Sequence, residues 1–209
     1  MKMNLPNKLT VMRLCLVPVL LIFGMLPESW VPFYVSCTVC ALLFIGTAIT
    51  DMLDGKIARK YNLITDFGKF LDPVADKFMV IGAMFVILYK FENLRTLMIF
   101  ALIIVVFREL AVTSMRLVVS TGQNIVVAAN MLGKLKTVLQ IVAISTVFLE
   151  PVLQMVAKKI GEAIVGQPLA WRTDIVPLTW VTLGLSLVLT LWSGIAYLKA
   201  YWKYLDPEK

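Results

Sequence analysis

Four aspartates lie in one short stretch of the sequence, at spacings that an α-helix would align. Asp51 and Asp54 are three residues apart, and Asp72 and Asp76 are four residues apart. Residues at these spacings share one face of a helix. Because only a short connection separates the two pairs, their helices must be antiparallel neighbours. The sequence therefore predicts that four carboxylates converge on one small volume.

Such a cluster needs cations, since carboxylates a few ångströms apart repel one another strongly. The sequence contains no His, and Cys37-x-x-Cys40 lies in an apolar run without a second pair, so zinc is not expected. Oxygen ligands select hard ions such as Mg²⁺, Mn²⁺ or Ca²⁺. Four carboxylates can hold two ions, an arrangement suited to phosphoryl chemistry. Without His, any acid–base step must use Asp, Glu or Lys.

The elements that carry these aspartates are predicted to be membrane helices. The chain has 209 residues, of which 60% are hydrophobic and 16% charged. Apolar runs of about 20 residues are long enough to cross a bilayer. We therefore expect one all-α, polytopic integral membrane domain over residues 1–209, with six transmembrane helices: Lys8–Leu26, Val31–Tyr61, Asp66–Tyr89, Arg95–Val119, Gly133–Lys158 and Ile175–Trp202.

Several boundaries of these helices carry specific expectations. Residues 1–7 form a polar segment expected in the membrane interface, and residues 159–174 a connection expected as an amphipathic surface helix. The second helix is longer than a bilayer requires, so its last turns should reach the membrane boundary. Thr65 or Asp66 is a plausible N-cap of the third helix. Pro73 should either open that helix or kink it.

The distribution of Lys and Arg predicts the orientation of the chain. Placing both termini and the aspartate stretch on one side puts 15 of the 20 basic residues there. The positive-inside rule makes this the cytoplasmic side. The net charge of +7 then suggests anionic lipids or phosphorylated substrates as partners rather than nucleic acid. The other side holds only Lys90, Arg95, Lys158, Lys159 and Arg172.

A second group of charged residues follows in the fourth and fifth helices. Arg108, Arg116, Lys134 and Lys136 could form a pocket for a phosphate monoester, with bidentate contacts from Arg and a point charge from Lys. The alternative for Arg108 is an ion pair with Glu109 or another carboxylate. The two lysines taken singly would be ordinary positive-inside residues.

Any one of the aspartates, taken alone, is best interpreted as a solvated helix end paired with a nearby Lys or Arg. The full pattern D-x2-D-G-x2-A-R-x8-G-x3-D-x3-D fixes eight positions, however, so a chance occurrence is negligible. It resembles the signature of the CDP-alcohol phosphotransferase family, and the six-helix layout is similar to that family over nearly the whole chain. The matching positions are Asp51, Asp54, Gly55, Ala58, Arg59, Gly68, Asp72 and Asp76.

The resemblance implies a reaction in which an alcohol attacks the β-phosphate of a CDP-linked lipid and CMP leaves. It implies that Asp51, Asp54, Asp72 and Asp76 hold two divalent cations, Mg²⁺ or Mn²⁺. Asp76 would also be the base that takes the proton of the alcohol. The family further suggests a homodimer in a bacterial cytoplasmic membrane. The CDP-lipid would lie against Asn7, Thr10, Gly55, Ala58, Arg59 and Gly68.

Three less specific segments resemble the branch of the family that transfers a phosphatidyl group from CDP-diacylglycerol to glycerol 3-phosphate. They are N-L-P-N-K-L-T-V-M-R, F-R-E-L and G-K-L-K-T-V-L-Q. This likeness brings Arg13 close to the site and makes Thr137 and Gln140 polar neighbours of it. Two relatives in the family remain alternatives, with a lipid or an inositol phosphate as acceptor. A divalent-cation transporter is the alternative from another class.

Overall fold

The computed structural model describes residues 4–61, 63, 65–123, 131–165 and 177–202. In these ranges the chain forms six long α-helices, a short 3₁₀ helix at Glu92–Leu94 and no β-strand, so the all-α prediction is confirmed. The helices are α1 (Leu5–Met25), α2 (Phe33–Lys60), α3 (Asp66–Lys90), α4 (Arg95–Gln123), α5 (Met131–Val165) and α6 (Pro177–Tyr201).

Five of the six helices in the described part are long and apolar enough to cross a membrane, which makes this a multi-pass membrane protein. The exception is α3, because Asp72, Asp76 and Lys77 crowd its first half. Of the six predicted transmembrane helices, five thus have the length and apolar composition of a span, and α3 does not. At 1.5 Å per residue, the 28 residues of α2 extend for roughly 42 Å, beyond a hydrocarbon core of about 30 Å.

The first helix begins at Leu5, three residues before the expected start at Lys8. The side chain of Asn4 accepts a hydrogen bond from the backbone N–H of Asn7, and Pro6 lies in the first turn. Both features favour a helix start at this point. Residues 5–7 of the expected interfacial segment are therefore helical, and residues 1–3 lie outside the described residues.

The fourth and fifth helices also extend further than expected. α4 continues to Gln123 rather than Val119. α5 continues to Val165, so the expectation that a connection begins at Lys159 is wrong. No Gly or Pro interrupts 152–160, and helical propagation continues where nothing breaks it. Residues 124–130 and 166–174 of the two expected connections lie outside the described residues, as do residues 175–176, where the sixth helix was expected to begin.

Thr65 caps the start of α3, as its sequence predicts. The Thr65 hydroxyl accepts a hydrogen bond from the backbone N–H of Gly68 at 3.1 Å. Pro73 lies inside the helix, so the expectation that it might open α3 is wrong. The cap at Thr65 fixes an earlier start, and the proline follows about two turns later. Hydrogen bonds from Thr65 to Asn7 and from Thr10 to Asp72 join the first turns of α3 to the start of α1.

Small residues bring α1 and α3 into close contact along their length. A Cβ atom added to Gly24 would lie 2.3 Å from a methyl carbon of Val86, and one added to Gly82 would lie 2.8 Å from a methyl carbon of Val17. Membrane helices pack through such small residues because lipid supplies no hydrophobic drive between helices. This packing sets the register of α1 against α3.

The start of α6 is held by a carboxylate of α5. Glu150 is buried, and its two carboxylate oxygens accept hydrogen bonds from the backbone N–H groups of Leu178 and Thr179 at 3.2 and 2.7 Å. These N–H groups have no partner within their own helix, and a negative charge favours a helix N-terminus. α5 and α6 are thus joined at the end of the bundle away from the aspartates.

Candidate active site

A polar stripe on α1 faces α3 and supplies the inner wall of the site. Asn7, Thr10 and Arg13 follow one another at intervals of three residues and are all buried. This spacing places them on one face of the helix. The apolar residues Val17 and Leu20 continue the same buried face toward the other end. Helical spacing therefore points polar groups at the first turns of α3.

The guanidinium of Arg13 lies among the carboxylates of α2 and α3. Its Nη1 bonds to carboxylate oxygens of Asp51 at 2.5 Å and Asp76 at 2.7 Å, and its Nη2 bonds to Asp54. Since Asp51 and Asp76 bond to the same nitrogen, the two helices do bring their carboxylates together. The Arg13 side chain is fully buried, and its Nε has no partner among the described residues. Arg13 is the central countercharge of the cluster.

Asp72 joins the cluster through Thr10. The Thr10 hydroxyl lies 2.7 Å from an Asp72 oxygen and donates to it. Gly68 lies one turn earlier on α3, where a Cβ atom would come within 3.0 Å of the Asn7 amide oxygen. The Thr65 hydroxyl donates to that same oxygen at 3.0 Å. A glycine at 68 thus permits the close approach of α1, which brings Thr10 to Asp72.

The other signature positions lie on the same end of α2. Gly55 and Ala58 are partly buried there, one turn and two turns beyond Asp51. The backbone of Arg59 belongs to the same helix, and its side chain lies outside what the structure describes. Small side chains at 55 and 58 leave room beside the carboxylates for a ligand to approach the backbone.

The donor set suits a hard divalent cation. All its ligand atoms are carboxylate oxygens, and the Asp51 and Asp76 side chains keep 40% and 50% of their surface exposed, so further oxygens remain accessible. Among the described residues, no group of three or more Asp, Glu or Cys side chains is already arranged around one ion position. Three carboxylates point at Arg13 instead.

A second charged cluster joins α4 to α5, with the opposite balance of charge. Glu109 bonds to Arg108 at 2.8 Å and to Lys136 at 2.5 Å, through the same carboxylate oxygen. The pairing that sequence offered as an alternative for Arg108 is therefore present. Lys136 is almost fully buried, and Arg108 and Glu109 are mostly buried. The Arg108 Nε has no partner within the described ranges.

Tyr197 of α6 completes this cluster. Its hydroxyl accepts a hydrogen bond from Arg116 at 2.7 Å, and the Arg116 and Arg108 guanidinium carbons lie 5.2 and 5.9 Å from the centre of its ring. Both distances are within the range of cation–π contacts. The two arginines are thus cofacial, as their spacing predicts. Tyr197 itself is buried.

A cavity of about 880 Å³ lies between the two clusters and the lipid-facing side of the bundle. At its polar end it is lined by Asp51, Arg108, Arg116 and Lys134. Its remaining wall is largely apolar and comes from α2 and α5, with Ile45, Ala48, Ile49, Met52, Val138, Ile141, Val142 and Leu149. The cavity therefore offers charged groups at one end and a hydrocarbon-compatible groove at the other.

A smaller cavity of about 310 Å³ connects the two clusters directly. Asp72 and Asp76 line one part of its wall, and Arg116, Lys136 and Gln140 line another. Arg116, Glu109 and Thr137 line both cavities. Three of the four predicted aspartates and all four predicted cations line these two spaces, and the fourth aspartate, Asp54, is joined to them through Arg13.

Sequence reasoning missed how three residues act in this site. Arg13 was expected only near the site, although its spacing from Asn7 and Thr10 signals a shared face. Glu109 was considered only as a partner of Arg108, while it also binds Lys136 across to α5. Tyr197 carries no local signal, because its contact with Arg116 joins helices that are distant in sequence.

Comparison with known proteins identifies the family of the chain. The family model for CDP-alcohol phosphatidyltransferase matches residues 3–192. A protein of Bacillus subtilis (strain 168) is 45% identical over 155 residues, which cover 70% of this chain and 77% of the relative. A protein of Yersinia enterocolitica is 34% identical over an alignment covering 99% of this chain and 100% of the relative. Both are named CDP-diacylglycerol–glycerol-3-phosphate 3-phosphatidyltransferase. The chain belongs to the CDP-alcohol phosphatidyltransferase family.

Proposed function

We propose that this enzyme transfers the phosphatidyl group of CDP-diacylglycerol to glycerol 3-phosphate, giving phosphatidylglycerophosphate and CMP. The observation that carries the proposal is the small cavity with Asp76 on one wall and Arg116 and Lys136 on another. A carboxylate base and a phosphate-binding set then act on the two ends of one small acceptor. The names of the full-length relatives support the same pair of substrates.

In this reaction a hydroxyl oxygen of the acceptor attacks the β-phosphorus of CDP-diacylglycerol. The new P–O bond forms as the bond between the β-phosphorus and the bridging oxygen breaks, and that oxygen leaves with CMP. The hydroxyl proton goes to Asp76, which lines the cavity with half of its side chain exposed. A positioned carboxylate within hydrogen-bond reach of the hydroxyl can act as the general base.

We assign Asp51, Asp54, Asp72 and Asp76 as the residues that would hold two divalent cations, Mg²⁺ or Mn²⁺. When bound, such ions offset the charge of the diphosphate and stabilise CMP as a leaving group. Arg13 keeps three of these carboxylates close together. Thr10 orients the fourth through the Asp72 oxygen to which it donates.

The larger cavity suits the lipid donor. Its charged end next to Asp51 can receive the diphosphate region, and its groove between α2 and α5 is lined mainly by aliphatic side chains. Acyl chains can remain in hydrocarbon while the nucleotide reaches the aspartates from water. Asn7, Thr10, Gly55, Ala58, Arg59 and Gly68 are the proposed contacts of the CDP-lipid.

Arg108, Arg116, Lys134 and Lys136 are the proposed contacts of the acceptor phosphate. Glu109 compensates Arg108 and Lys136. Arg116 donates a hydrogen bond to the hydroxyl of Tyr197, and this contact does not compensate its positive charge. A phosphate monoester therefore finds an excess of positive charge here, with guanidinium groups that match its geometry.

The setting of this reaction in the cell is also part of the proposal. We propose that α3 crosses the membrane with the other five helices, and that both termini and the aspartates face the cytosol of a bacterium. Glycerol 3-phosphate and CMP are then exchanged with the cytosol. We further propose a homodimer formed through the membrane helices, which present many exposed apolar side chains.

The experiment is an acceptor panel with the purified protein in detergent or vesicles. CMP release from CDP-diacylglycerol is measured with glycerol 3-phosphate, phosphatidylglycerol, serine and an inositol phosphate. We expect turnover with glycerol 3-phosphate only, and only with Mg²⁺ or Mn²⁺ present. Turnover with another acceptor, but none with glycerol 3-phosphate, would contradict the proposed acceptor. An absence of CMP release with every acceptor would contradict the reaction itself.

A further inference from the structure

We propose that Gln140 determines specificity for the acceptor by hydrogen bonding to the hydroxyl group of glycerol 3-phosphate that does not react. The inference rests on the proposed function and adds a residue that recognises the polyol part of the acceptor. It begins from an unsatisfied polar atom. The Gln140 side chain is 4% exposed, and its Nε2 has no hydrogen-bond partner among the described residues.

Leaving a buried amide without a hydrogen-bond partner is energetically costly in proteins. Buried polar groups without partners therefore call for an explanation, and a bound ligand is one. Gln140 lines the cavity of about 310 Å³, so a ligand there can reach the amide. The volume is at the low end of the range for small-molecule sites.

The neighbours of Gln140 indicate which part of the ligand it meets. Lys136 lies one turn earlier on the same face of α5, and Arg116 lines the same cavity. These cations suit the phosphate. Asp72 and Asp76 line the opposite part, where the reacting hydroxyl must lie for its proton to be taken. Gln140 is neutral, so it is better suited to an uncharged group between them.

Glycerol 3-phosphate carries such a group, the hydroxyl on its central carbon. An amide both donates and accepts hydrogen bonds, so it can pair with a hydroxyl in either orientation of the side chain. Sites that hydrogen bond to a substrate hydroxyl discriminate strongly against analogues that lack it, because their own polar group is then left unpaired. Gln140 would thereby favour a polyol phosphate over a simple alcohol phosphate.

The test compares two acceptors in the wild-type enzyme and in Gln140→Met, which keeps the length of the side chain but removes its amide. One acceptor is glycerol 3-phosphate and the other is 3-hydroxypropyl phosphate, which lacks the central hydroxyl. We expect the wild-type kcat/KM to be higher for glycerol 3-phosphate by about tenfold or more. In Gln140→Met the ratio should fall to near one, mainly through a higher KM for glycerol 3-phosphate.

Gln154→Met is the matched control, since Gln154 lies on the same helix and lines a separate cavity toward the other end of the bundle. It should keep the wild-type ratio. An unchanged ratio in Gln140→Met would overturn the inference, and so would an equal change in Gln154→Met.

Two measurements separate this inference from other failures. If wild-type protein releases no CMP with glycerol 3-phosphate, the proposed function fails, and the inference about Gln140 fails with it. If Gln140→Met does not fold, Gln140→Glu and Gln140→Asn replace it. Gln140→Asn shortens the side chain and Gln140→Glu adds a charge, so either change should alter the hydrogen bond to the substrate hydroxyl. If the ratio of kcat/KM values stayed at the wild-type value in both variants, the inference would also be overturned.

Discussion

The two charged clusters of this protein are built in opposite ways. In one, three carboxylates surround the single guanidinium of Arg13. In the other, two cations meet the single carboxylate of Glu109. Each cluster has one central residue of the opposite sign, and its single charge does not neutralise the two or three charges around it. One cluster therefore keeps an excess of negative charge, and the other an excess of positive charge.

This difference explains how one small site handles two anionic substrates. On the proposed function, the carboxylate cluster would accept divalent cations because it is undercompensated, and bound cations would make it attractive to a diphosphate. The second cluster is already positive and can receive a phosphate without an added ion. The central residues, Arg13 and Glu109, hold like-charged neighbours close together between packed helices, where unpaired charge is expensive.

The largest effect is expected from Asp76→Asn, which removes the proposed base but keeps the shape of the carboxylate cluster. CMP release should fall by about 10³-fold or more, while binding of CDP-diacylglycerol is largely retained. The measurements are turnover and equilibrium binding of the lipid. Asp66→Asn is the matched control, since Asp66 lies on the same helix and is exposed beside Lys69. Near-normal turnover in Asp76→Asn would remove Asp76 as the base.

The next largest effect is expected from removing the centre of the carboxylate cluster. Arg13→Met leaves the buried Asp54 and the partly exposed Asp51 and Asp76 without their countercharge. Breaking a buried ion pair typically costs about 3–5 kcal/mol, and solvent screening at the two exposed carboxylates makes the loss smaller than that. The melting temperature in EDTA should fall, and Mg²⁺ should restore more stability in this variant than in the wild type, because added cations replace the lost charge. In Arg13→Lys, which keeps the positive charge, the melting temperature should fall less. If Mg²⁺ raised the melting temperature of Arg13→Met and of the wild type equally, the role of Arg13 as countercharge would be contradicted.

A smaller effect is expected from Arg116→Ala in the positive cluster. Its loss removes a charged donor from the acceptor site, so the KM for glycerol 3-phosphate should rise by about 10- to 100-fold. The KM for CDP-diacylglycerol should rise less. Arg95→Ala is the control on the same helix, where Arg95 pairs with Glu92 at an exposed position. If both substrates were affected equally, the two clusters would not divide the substrates between them.

The smallest effect is expected from Tyr197→Phe. This change removes the hydroxyl that accepts from Arg116 but keeps the ring against which both arginines pack. Because only the orientation of Arg116 is loosened, we expect a rise of about threefold to tenfold in the KM for glycerol 3-phosphate, as for the loss of one hydrogen bond. Tyr89→Phe, at an exposed tyrosine, serves as the control. A loss as large as that in Arg116→Ala would indicate a direct contact with substrate.

Much of the negative cluster could be predicted from sequence because its spacing is local. Asp51 and Asp54 share one helix face, as do Asp72 and Asp76, and the short connection makes the two helices neighbours. The same logic found the Thr65 cap. The ends of helices were predicted less well. α5 continues past Lys159, because polar residues do not by themselves end a helix.

The positive cluster was predicted only in part, because its geometry depends on contacts between distant helices. Arg108 and Arg116 could be placed on one face of α4 from their spacing. That face meets Tyr197, which lies 81 residues after Arg116 in the chain. No periodicity within either helix indicates this meeting. The partition of space into a larger, mostly apolar cavity and a smaller polar one is likewise a property of packed helices.

The sequence by itself therefore determined the helical class, the four aligned carboxylates and the hard-ion chemistry that such ligands favour, since these follow from residue type and helical period. Only the tertiary structure decided that Arg13 lies at the centre of those carboxylates, because this requires the close packing of α1 on α3 that Gly24, Gly68 and Gly82 permit. It also decided that Gln140 faces the space between the clusters, since burial depends on all the helices together.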